Sequence, residues 1–327
     1  MKLLYAIQAT GNGHLARAIE IIPALMQFVD VDILVSGIQG DLHLPYPVSF
    51  QRHGLSFIFG KHGQVDVLKT LNSLRPVQLW KDIRHCPVEQ YDLVIHDFEP
   101  ITAYACRHKG IPNISLSHQA SFQYSETPRP SRKNPYAEWV IRNYAPSKEN
   151  IGLHFASYHP DICTPVIRSE IRKLTPENGD HVLVYLPAYS HQFLVENLQK
   201  ISDIKWKIFS KHCHSYYTEK NTEVFPVDTR NWLEALRTCA AAVIGAGFEG
   251  PAEALSLGKK LLVVPMKNQY EQQCNAAALK KLGVRSLRKI NDKAIPDIKK
   301  WLNEGQAKMI HFPENTNEIV KKILKVS

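Results

Sequence analysis

Short apolar runs recur along the chain, and most of them precede a segment in which apolar residues return every three or four positions. The first run is Leu3–Gln8, and it is followed by Ile19, Ile22, Leu25 and Met26. Runs of about four to eight apolar residues are typical of strands buried on both faces, and intervening helices connect such strands into a parallel sheet. The pattern therefore predicts an α/β protein.

This alternation occurs twice, with an aperiodic stretch in between. The strands predicted in the first half are Leu3–Gln8, Asp32–Ser36, Tyr91–His96, Ile111–Ser117 and Ile151–Ser157. The strands predicted in the second half are His181–Leu186, Trp206–Ser210, Glu223–Val227, Ala240–Ile244 and Leu261–Pro265. The stretch between the halves contains Pro165, Pro176 and Gly179, which is typical of a linker. Two α/β units suit a chain of 327 residues, because a domain usually has about 100–200.

Some segments depart from this alternation. Residues 45–79 have no regular pattern, apart from a helix predicted at Val67–Leu74. The last two helices are predicted at Lys293–Leu302 and Asn317–Val326.

Composition narrows the class of protein. The hydrophobic content of 44% is ordinary for a globular protein, and no apolar run reaches the ~18 residues of a membrane-spanning helix. The first apolar run is too short for a signal peptide, so we expect a cytoplasmic protein. None of the six cysteines forms a C-x-x-C pair, which argues against a zinc ribbon or a redox dithiol.

The net charge of +9 favours anionic partners: nucleotide phosphates, an anionic membrane surface or nucleic acid. No nucleic-acid-binding signature accompanies the charge, so we expect no nucleic-acid partner. The loop Ser125–Pro135 is basic and rich in proline. It is either an ordinary surface loop or a patch that touches an anionic acceptor or a membrane lipid, for example at the inner face of a membrane.

Polar residues follow several of the predicted strands. His14, Asp97, Glu99 and His118 all lie just after the carboxyl end of a strand. Each has an alternative explanation as a cap or a turn residue. Because open α/β sheets bind ligands at this edge, four such residues favour a binding site there.

A glycine-rich turn lies between a predicted strand and a predicted helix in the second half. It has the form Gly245-x-Gly247-x-x-Gly250, and Pro251 is expected to open the helix. Glycines let backbone amides approach a phosphate, and the start of a helix favours negative charge. The form matches a dinucleotide fingerprint, but the next strand ends in Pro265 and not in an acidic residue, which argues against a dehydrogenase.

Two acidic positions near this turn suit a sugar nucleotide. Glu253 lies in the first turn of the short helix, where it either reaches a ribose diol or interacts with the helix dipole. Glu271 and Gln272 follow the next strand, on the same edge of the sheet. Side chains of these types form hydrogen bonds with sugar hydroxyls.

These segments together resemble nucleotide-sugar glycosyltransferases of the two-domain, twin-Rossmann (GT-B) type. The likeness includes the glycine turn, the P-A-E-A-L that follows it, a closing proline and E-Q-x-x-N-A from Glu271. Gly11-x-Gly13-His14-x-x-Arg17 and Asp92–Pro100 also resemble a bacterial and archaeal group related to the peptidoglycan N-acetylglucosaminyltransferase and to UDP-glycosyltransferases. The likeness covers most of the chain.

The resemblance implies two Rossmann-like domains that face each other across a cleft. The expected division is an acceptor-side domain at 1–162, a linker at 163–180, a nucleotide-sugar donor domain at 181–312 and a final helix in 313–327 that packs back on the first domain.

The resemblance also implies residue roles. Gly247 and the amides of Phe248, Glu249 and Gly250 match the turn that binds the donor diphosphate. Glu253 matches the carboxylate on the ribose, while Glu271 and Gln272 match the pair that contacts the donor sugar. The position before the turn that is often His or Arg is Gly245 here, so one phosphate contact is missing from the pattern.

His14 matches the histidine that faces the transferred sugar. In UDP-glycosyltransferases that histidine deprotonates the acceptor, and Asp97 is placed to orient it; the alternative is that His14 only contacts the donor. Gly11, Gly13, Ser190 and His118 are further candidates for phosphate or acceptor contacts. The implied reaction is inverting and requires neither a metal ion nor a cofactor.

The implied partners are a nucleotide-sugar donor and a carbohydrate, lipid-linked or small-molecule acceptor. Other functions remain open at this stage: a nucleotide-sugar epimerase on the same fold, an NAD-dependent oxidoreductase, or a non-catalytic binding protein.

Overall fold

The computed structural model describes residues 1–9, 11–37, 44–54 and 75–326. Within these ranges the chain forms two seven-stranded sheets. The helix predicted at Val67–Leu74 lies outside the described residues.

The first sheet is built from the first half of the chain. Its strands are β1 (Lys2–Gln8), β2 (Asp30–Ser36), β3 (Phe50–Arg52), β4 (Leu93–Asp97), β5 (Ile114–Ser117), β6 (Glu149–Leu153) and β7 (Ile162–Cys163). They lie in the order β3-β2-β1-β4-β5-β6-β7, and all neighbours are parallel. The order reverses between β1 and β4, which is the switch point where α/β sheets bind ligands.

The second sheet repeats this arrangement. Its strands are β8 (His181–Tyr185), β9 (Lys205–Ser210), β10 (Tyr217–Glu219), β11 (Thr222–Pro226), β12 (Ala241–Gly245), β13 (Lys260–Val264) and β14 (Arg285–Ser286). The order is β10-β11-β9-β8-β12-β13-β14, with only β10 antiparallel to its neighbour. The switch point of this sheet lies between β8 and β12.

Helices connect the strands and cover the sheets. In the described ranges they are α1 (Asn12–Met26), α2 (Pro76–Arg84), α3 (Pro100–Lys109), α4 (Pro135–Asn143), α5 (Ser169–Arg172), α6 (His191–Leu198), α7 (Thr229–Thr238), α8 (Glu249–Ser256), α9 (Tyr270–Lys281), α10 (Ile295–Glu304) and α11 (Thr316–Val326). None of them has the length and apolar composition needed to cross a bilayer.

Strand β1 shows why the buried strands read as continuous apolar runs. Leu3, Tyr5 and Ile7 point into one core cluster, whereas Leu4 and Ala6 point into another on the opposite face. A strand covered on both faces needs apolar residues at every position. The predicted α/β fold with two sheets is therefore confirmed.

The structure corrects three of the predicted elements. Within residues 45–79, which are predicted to have no regular pattern outside Val67–Leu74, Phe50–Arg52 forms β3 and α2 begins at Pro76. The strand predicted at Ile151–Ser157 is β6, which ends at Leu153, and β7 follows it. Both β3 and β7 are too short for a pattern of apolar residues to identify them. Helix α8 starts at Glu249 and not at Pro251, because the backbone of Phe248 is already helical.

The two halves also share apolar packing. One core cluster contains side chains from both sheets, among them Ile95 of β4 and Phe248 beside β12. The last helix, α11, packs against α1. The Nζ atom of Lys322 in α11 lies 2.8 Å from the Oδ1 atom of Asp161, beside β7.

Candidate functional site

The candidate site lies where the switch points of the two sheets meet. On the first sheet it consists of Gly11 and the first turn of α1, up to His14, and of Asp97 at the end of β4. On the second sheet it consists of the glycine-rich segment Gly245–Gly250, which follows β12 and includes the start of α8. The two helices are in contact, because Arg17 of α1 forms an ion pair with Glu249 of α8.

His14 and Asp97 form the pair that the sequence predicts at this edge. The Nδ1 atom of His14 lies 2.7 Å from Oδ1 of Asp97. Because the carboxylate can only accept, Nδ1 carries the proton and Nε2 is the basic nitrogen of the ring. The Asp97 side chain is fully buried, whereas the His14 side chain is 13% exposed. The ring can therefore exchange a proton with a ligand, while the buried carboxylate of Asp97 fixes its orientation.

Arg17 binds the same carboxylate from one turn further along α1. Its Nε donates to Oδ2 of Asp97 at 2.9 Å, and its Nη2 donates to Oδ1 at 3.0 Å. This two-point contact fixes the plane of the carboxylate. The motif found in the sequence included Arg17 but gave it no role.

The charges around this pair set its ionisation. Burial alone would raise the pKa of Asp97, but the Arg17 guanidinium and then His14 lower that pKa to about 2. Burial lowers the pKa of His14, but the negative charge of Asp97 and its hydrogen bond outweigh burial and raise it. At neutral pH Asp97 is an anion and His14 is a stronger base than a free imidazole.

The glycine turns leave room for a ligand. A side chain at Gly247, or at Gly11 in the opposite turn, would meet no heavy atom within 4 Å. Helix α8 begins at Glu249, with Phe248 as its N-cap residue, and the first amides of a helix have no partner within it. This combination of open space and free amide donors suits a phosphate group.

The side chain of Phe248 lies between the two halves. It is only 4% exposed, and its ring stacks on His118 with centroids 4.1 Å apart and an angle of 9° between the planes. The ring of Phe155 is 5.2 Å away. For the predicted donor contact, only the backbone of Phe248 is available in this arrangement.

His118 and Asn275 connect the first half to the glycine turn. The Nδ1 atom of His118 donates to the Leu153 carbonyl at 2.8 Å, and its Nε2 atom lies 2.8 Å from Oδ1 of Asn275. Asn275 in turn donates to the Ala246 carbonyl at 3.1 Å. Burial lowers the pKa of His118. Both ring nitrogens of His118 thus contact protein groups, in place of the predicted acceptor or phosphate.

Glu253 is paired with Arg168 from the stretch between the sheets. The Nε and Nη2 atoms of Arg168 donate to the two carboxylate oxygens at 2.6 and 3.1 Å. The pKa of Glu253 is nevertheless raised, because burial outweighs the guanidinium. A carboxylate has about four lone-pair sites, but this side chain is only 6% exposed, and the contact with a ribose stays a prediction. The aperiodic sequence around Arg168 gave no sign of this contact.

Glu271 and Gln272 differ in what they contact. The Oε2 atom of Glu271 accepts a hydrogen bond of 3.0 Å from Gln119 of the first half, and the Glu271 side chain is 22% exposed. The side-chain oxygen of Gln272 accepts from the Met266 amide at 2.9 Å. Gln272 therefore stabilises the loop after β13, and its predicted contact with the donor sugar stays a prediction.

Ser190 lies in the loop after β8 and caps helix α6. Its hydroxyl accepts from the Phe193 amide at 3.3 Å. In the part of the chain that the structure describes, no group of three or more His, Cys, Asp or Glu side chains could hold a metal ion.

The chain resembles one protein family in its sequence. The sequence model of the family described as "Glycosyl transferase family 1" matches residues 1–304. No curated protein sequence matches the chain significantly.

Solved structures share its fold across almost the whole chain. MurG from Acinetobacter baumannii is 13% identical, with a TM-score of 0.58 and coverage of 99% of both chains. UGT2 from Phytolacca americana, in complex with UDP-2fluoro-glucose and pterostilbene, is 13% identical, with a TM-score of 0.58 and coverage of 99% of this chain and 93% of the other. A UDP-glucosyltransferase from Polygonum tinctorium is 13% identical, with a TM-score of 0.61 and coverage of 99% and 92%. The fold is the two-domain GT-B fold.

Proposed function

This chain belongs to glycosyl transferase family 1, and on that premise we propose that it moves a sugar from a nucleoside-diphosphate sugar to an acceptor hydroxyl, with inversion and without a metal ion. The observation that carries the proposal is the His14–Asp97 pair. It leaves the basic nitrogen of a partly exposed imidazole at the meeting point of the two switch points.

In the proposed reaction, Nε2 of His14 takes the proton of the acceptor hydroxyl. The acceptor oxygen forms a bond to the anomeric carbon while the bond from that carbon to the diphosphate breaks, so the anomeric configuration inverts. Asp97 stabilises the imidazolium that forms and keeps the ring in the correct tautomer.

The donor is proposed to lie on the second half. The amides from Gly247 to Gly250 and the start of α8 would stabilise the charge on the departing diphosphate, which is the task of a metal ion in other transferases. Glu253 would accept hydrogen bonds from the ribose, and Glu271 from the sugar. The UDP-2fluoro-glucose in the Phytolacca americana structure supports a UDP-sugar as the donor.

The proposed domains follow the two sheets. Residues 1–162 would form the acceptor side, 163–180 the linker and 181–312 the donor side, with the final helix in 313–327 returning to the first domain. The family match and the solved structures named above favour a transferase over an epimerase or an oxidoreductase.

The test is release of the nucleoside diphosphate from a panel of UDP-sugars, with simple alcohols and glycans as acceptors and with EDTA present. We expect release by the wild type, and a loss of about 10²–10⁴-fold for His14→Ala because a general base commonly contributes that much. Thermal protection by a UDP-sugar should persist in His14→Ala. Transfer by His14→Ala at a near wild-type rate would contradict the base role, and inhibition by EDTA would contradict metal independence.

We further propose a cytoplasmic enzyme with a peripheral contact to an anionic membrane surface, which would suit a lipid-linked acceptor. Helix α4 supports this, because Tyr136 and Trp139 are 74% and 62% exposed. Trp139 also lines a cavity of 530 Å³ together with Lys133, Arg142 and Glu138. Amphipathic aromatic and basic side chains suit a membrane interface.

Co-sedimentation with phosphatidylglycerol vesicles should exceed that with phosphatidylcholine vesicles, and Trp139→Ala should weaken it. Equal sedimentation with both kinds of vesicle would contradict the proposed contact.

A further inference from the structure

Glu249 reaches from the second half of the molecule to the catalytic pair of the first. It lies in the first turn of α8, and its Oε1 atom accepts from Nη1 of Arg17, which is 232 positions away in the sequence. Arg17 is 2% exposed and also holds Asp97, whereas the Glu249 side chain is 25% exposed. One buried guanidinium therefore connects Glu249 to the carboxylate that orients His14.

The first turn of α1 leaves space for this carboxylate at Gly13. A Cβ atom at Gly13 would lie only 2.5 Å from Oε2 of Glu249, closer than side chains tolerate. Gly13 has no left-handed backbone conformation that would itself require glycine. A side chain at Gly13 would therefore have to displace the Glu249 carboxylate from its place beside Arg17.

We propose that Glu249 is a positioning residue for His14, which acts through Arg17 and Asp97 only while the two halves are in contact. The proposal rests on the proposed function in one respect, namely that His14 is the base. It assigns the Glu249 side chain to the base and not to the donor, although the Glu249 amide remains in the diphosphate-binding turn.

The charges that face His14 give this contact a chemical consequence. Asp97 comes from β4, Arg17 from α1 and Glu249 from α8, while the neutral hydroxyl of Tyr5 in β1 lies near Asp97 and Arg17. Burial lowers the pKa of His14. Among the charges, Asp97 raises that pKa most, Arg17 lowers it, and the carboxylate of Glu249 raises it further by a smaller amount. If the halves separate, His14 becomes a weaker base.

The decisive experiment is NMR titration of the His14 ring in the full chain labelled at histidine, with the His14 signal identified by its loss in His14→Gln. In Glu249→Gln we expect the pKa of His14 to fall by about half a unit or more, because a nearby negative charge is removed. Glu20→Gln is the matched control. Glu20 is on α1, the helix of His14 and Arg17. It accepts from the amide and the hydroxyl of Ser169 at 2.8 and 2.6 Å, outside the group of charges around His14. An unchanged His14 pKa in Glu249→Gln would overturn the proposal.

Gly13→Ala provides a second route to the same result. The added methyl group should displace the Glu249 carboxylate and lower the pKa of His14 as Glu249→Gln does. In a Glu249→Ala background, Gly13→Ala should have no further effect on that pKa. An equal effect of Gly13→Ala in both backgrounds would show that Gly13 does not act through Glu249.

Transfer kinetics separate this role from direct donor binding. Glu249→Gln should lower kcat by roughly threefold to tenfold through a weaker and less well-held base, with the donor KM unchanged. A raised donor KM with unchanged kcat would overturn the proposal in favour of a donor contact. The NMR titration needs no substrate, so a wild-type chain without transferase activity would refute the proposed function but leave the Glu249 result intact.

Discussion

Asp97 accepts hydrogen bonds from both His14 and Arg17, and its side chain has no exposed surface. A buried charge of this kind is stable only while its partners remain, and removal of one partner commonly costs about 3–5 kcal/mol. This is why Glu249, at the partly exposed end of the network, is a better position for substitution than Arg17.

The ionisation of Asp97 predicts an acid-dependent loss of stability. Its pKa is about 2 in the folded protein, below the value of about 3.9 for an unfolded chain. A lowered carboxyl pKa stabilises the fold above the unfolded value, and that stabilisation is lost as the pH falls from about 4 to 2. We expect wild type to lose about 2 kcal/mol more than Asp97→Asn over this range.

Urea unfolding of both proteins between pH 6 and pH 2 measures this difference, and parallel pH profiles would contradict it.

His14 contributes to stability with the opposite dependence on pH. Because its pKa is raised in the folded protein, its stabilisation is present below the unfolded pKa and is lost as the pH rises through the folded pKa.

At the scale of elements, Glu99 explains how α3 begins directly after β4. Its carboxylate accepts from the amides of Ile101 and Thr102 at 2.8 and 2.7 Å and from the Ser36 hydroxyl at 2.8 Å. The intervening Phe98 has a φ of 54°, which is unusual for a residue with a side chain. The cap holds this tight turn, which presents Asp97. Of the four polar residues that follow predicted strands, Glu99 is thus a helix cap.

We expect Glu99→Gln to lower the free energy of unfolding by about 1–2 kcal/mol, since one amide oxygen replaces a carboxylate that caps two amides. Urea denaturation measures the change. The matched control is Glu89→Gln, whose exposed carboxylate pairs with Lys109 at 2.8 Å and should matter by less than about 0.5 kcal/mol. Equal losses in the two variants would contradict the capping role.

At the scale of the whole molecule, the buried ring of Phe248 joins the sheets. It packs on His118, His154 and Phe155 of the first half. We expect Phe248→Ala to cost about 3–5 kcal/mol, as truncation of a buried aromatic side chain does. In this variant the two halves should also unfold in separate transitions.

Fluorescence and circular dichroism, followed against urea, report whether the transitions still coincide. Phe193→Ala is the control, because Phe193 stacks on Tyr189 within the second half and not between the halves. Coincident transitions in Phe248→Ala would show that this ring does not couple the two units.

The sequence by itself determined the α/β class, the two units, the glycine turns and the pairing of His14 with Asp97. The reason is local: apolar runs identify buried strands, and residues at the carboxyl ends of neighbouring parallel strands necessarily share one edge of the sheet. The family resemblance drawn from these segments is confirmed by the match over residues 1–304.

Only the tertiary structure decided which charges meet across the two sheets. Arg168 pairs with Glu253 and Arg17 with Glu249. These partners are 85 and 232 positions apart in the sequence, and nothing in the local pattern of either segment depends on the other. Such pairs form because the packed fold brings residues that are distant in the sequence side by side. The energy of a buried charge then depends on which groups this packing places beside it.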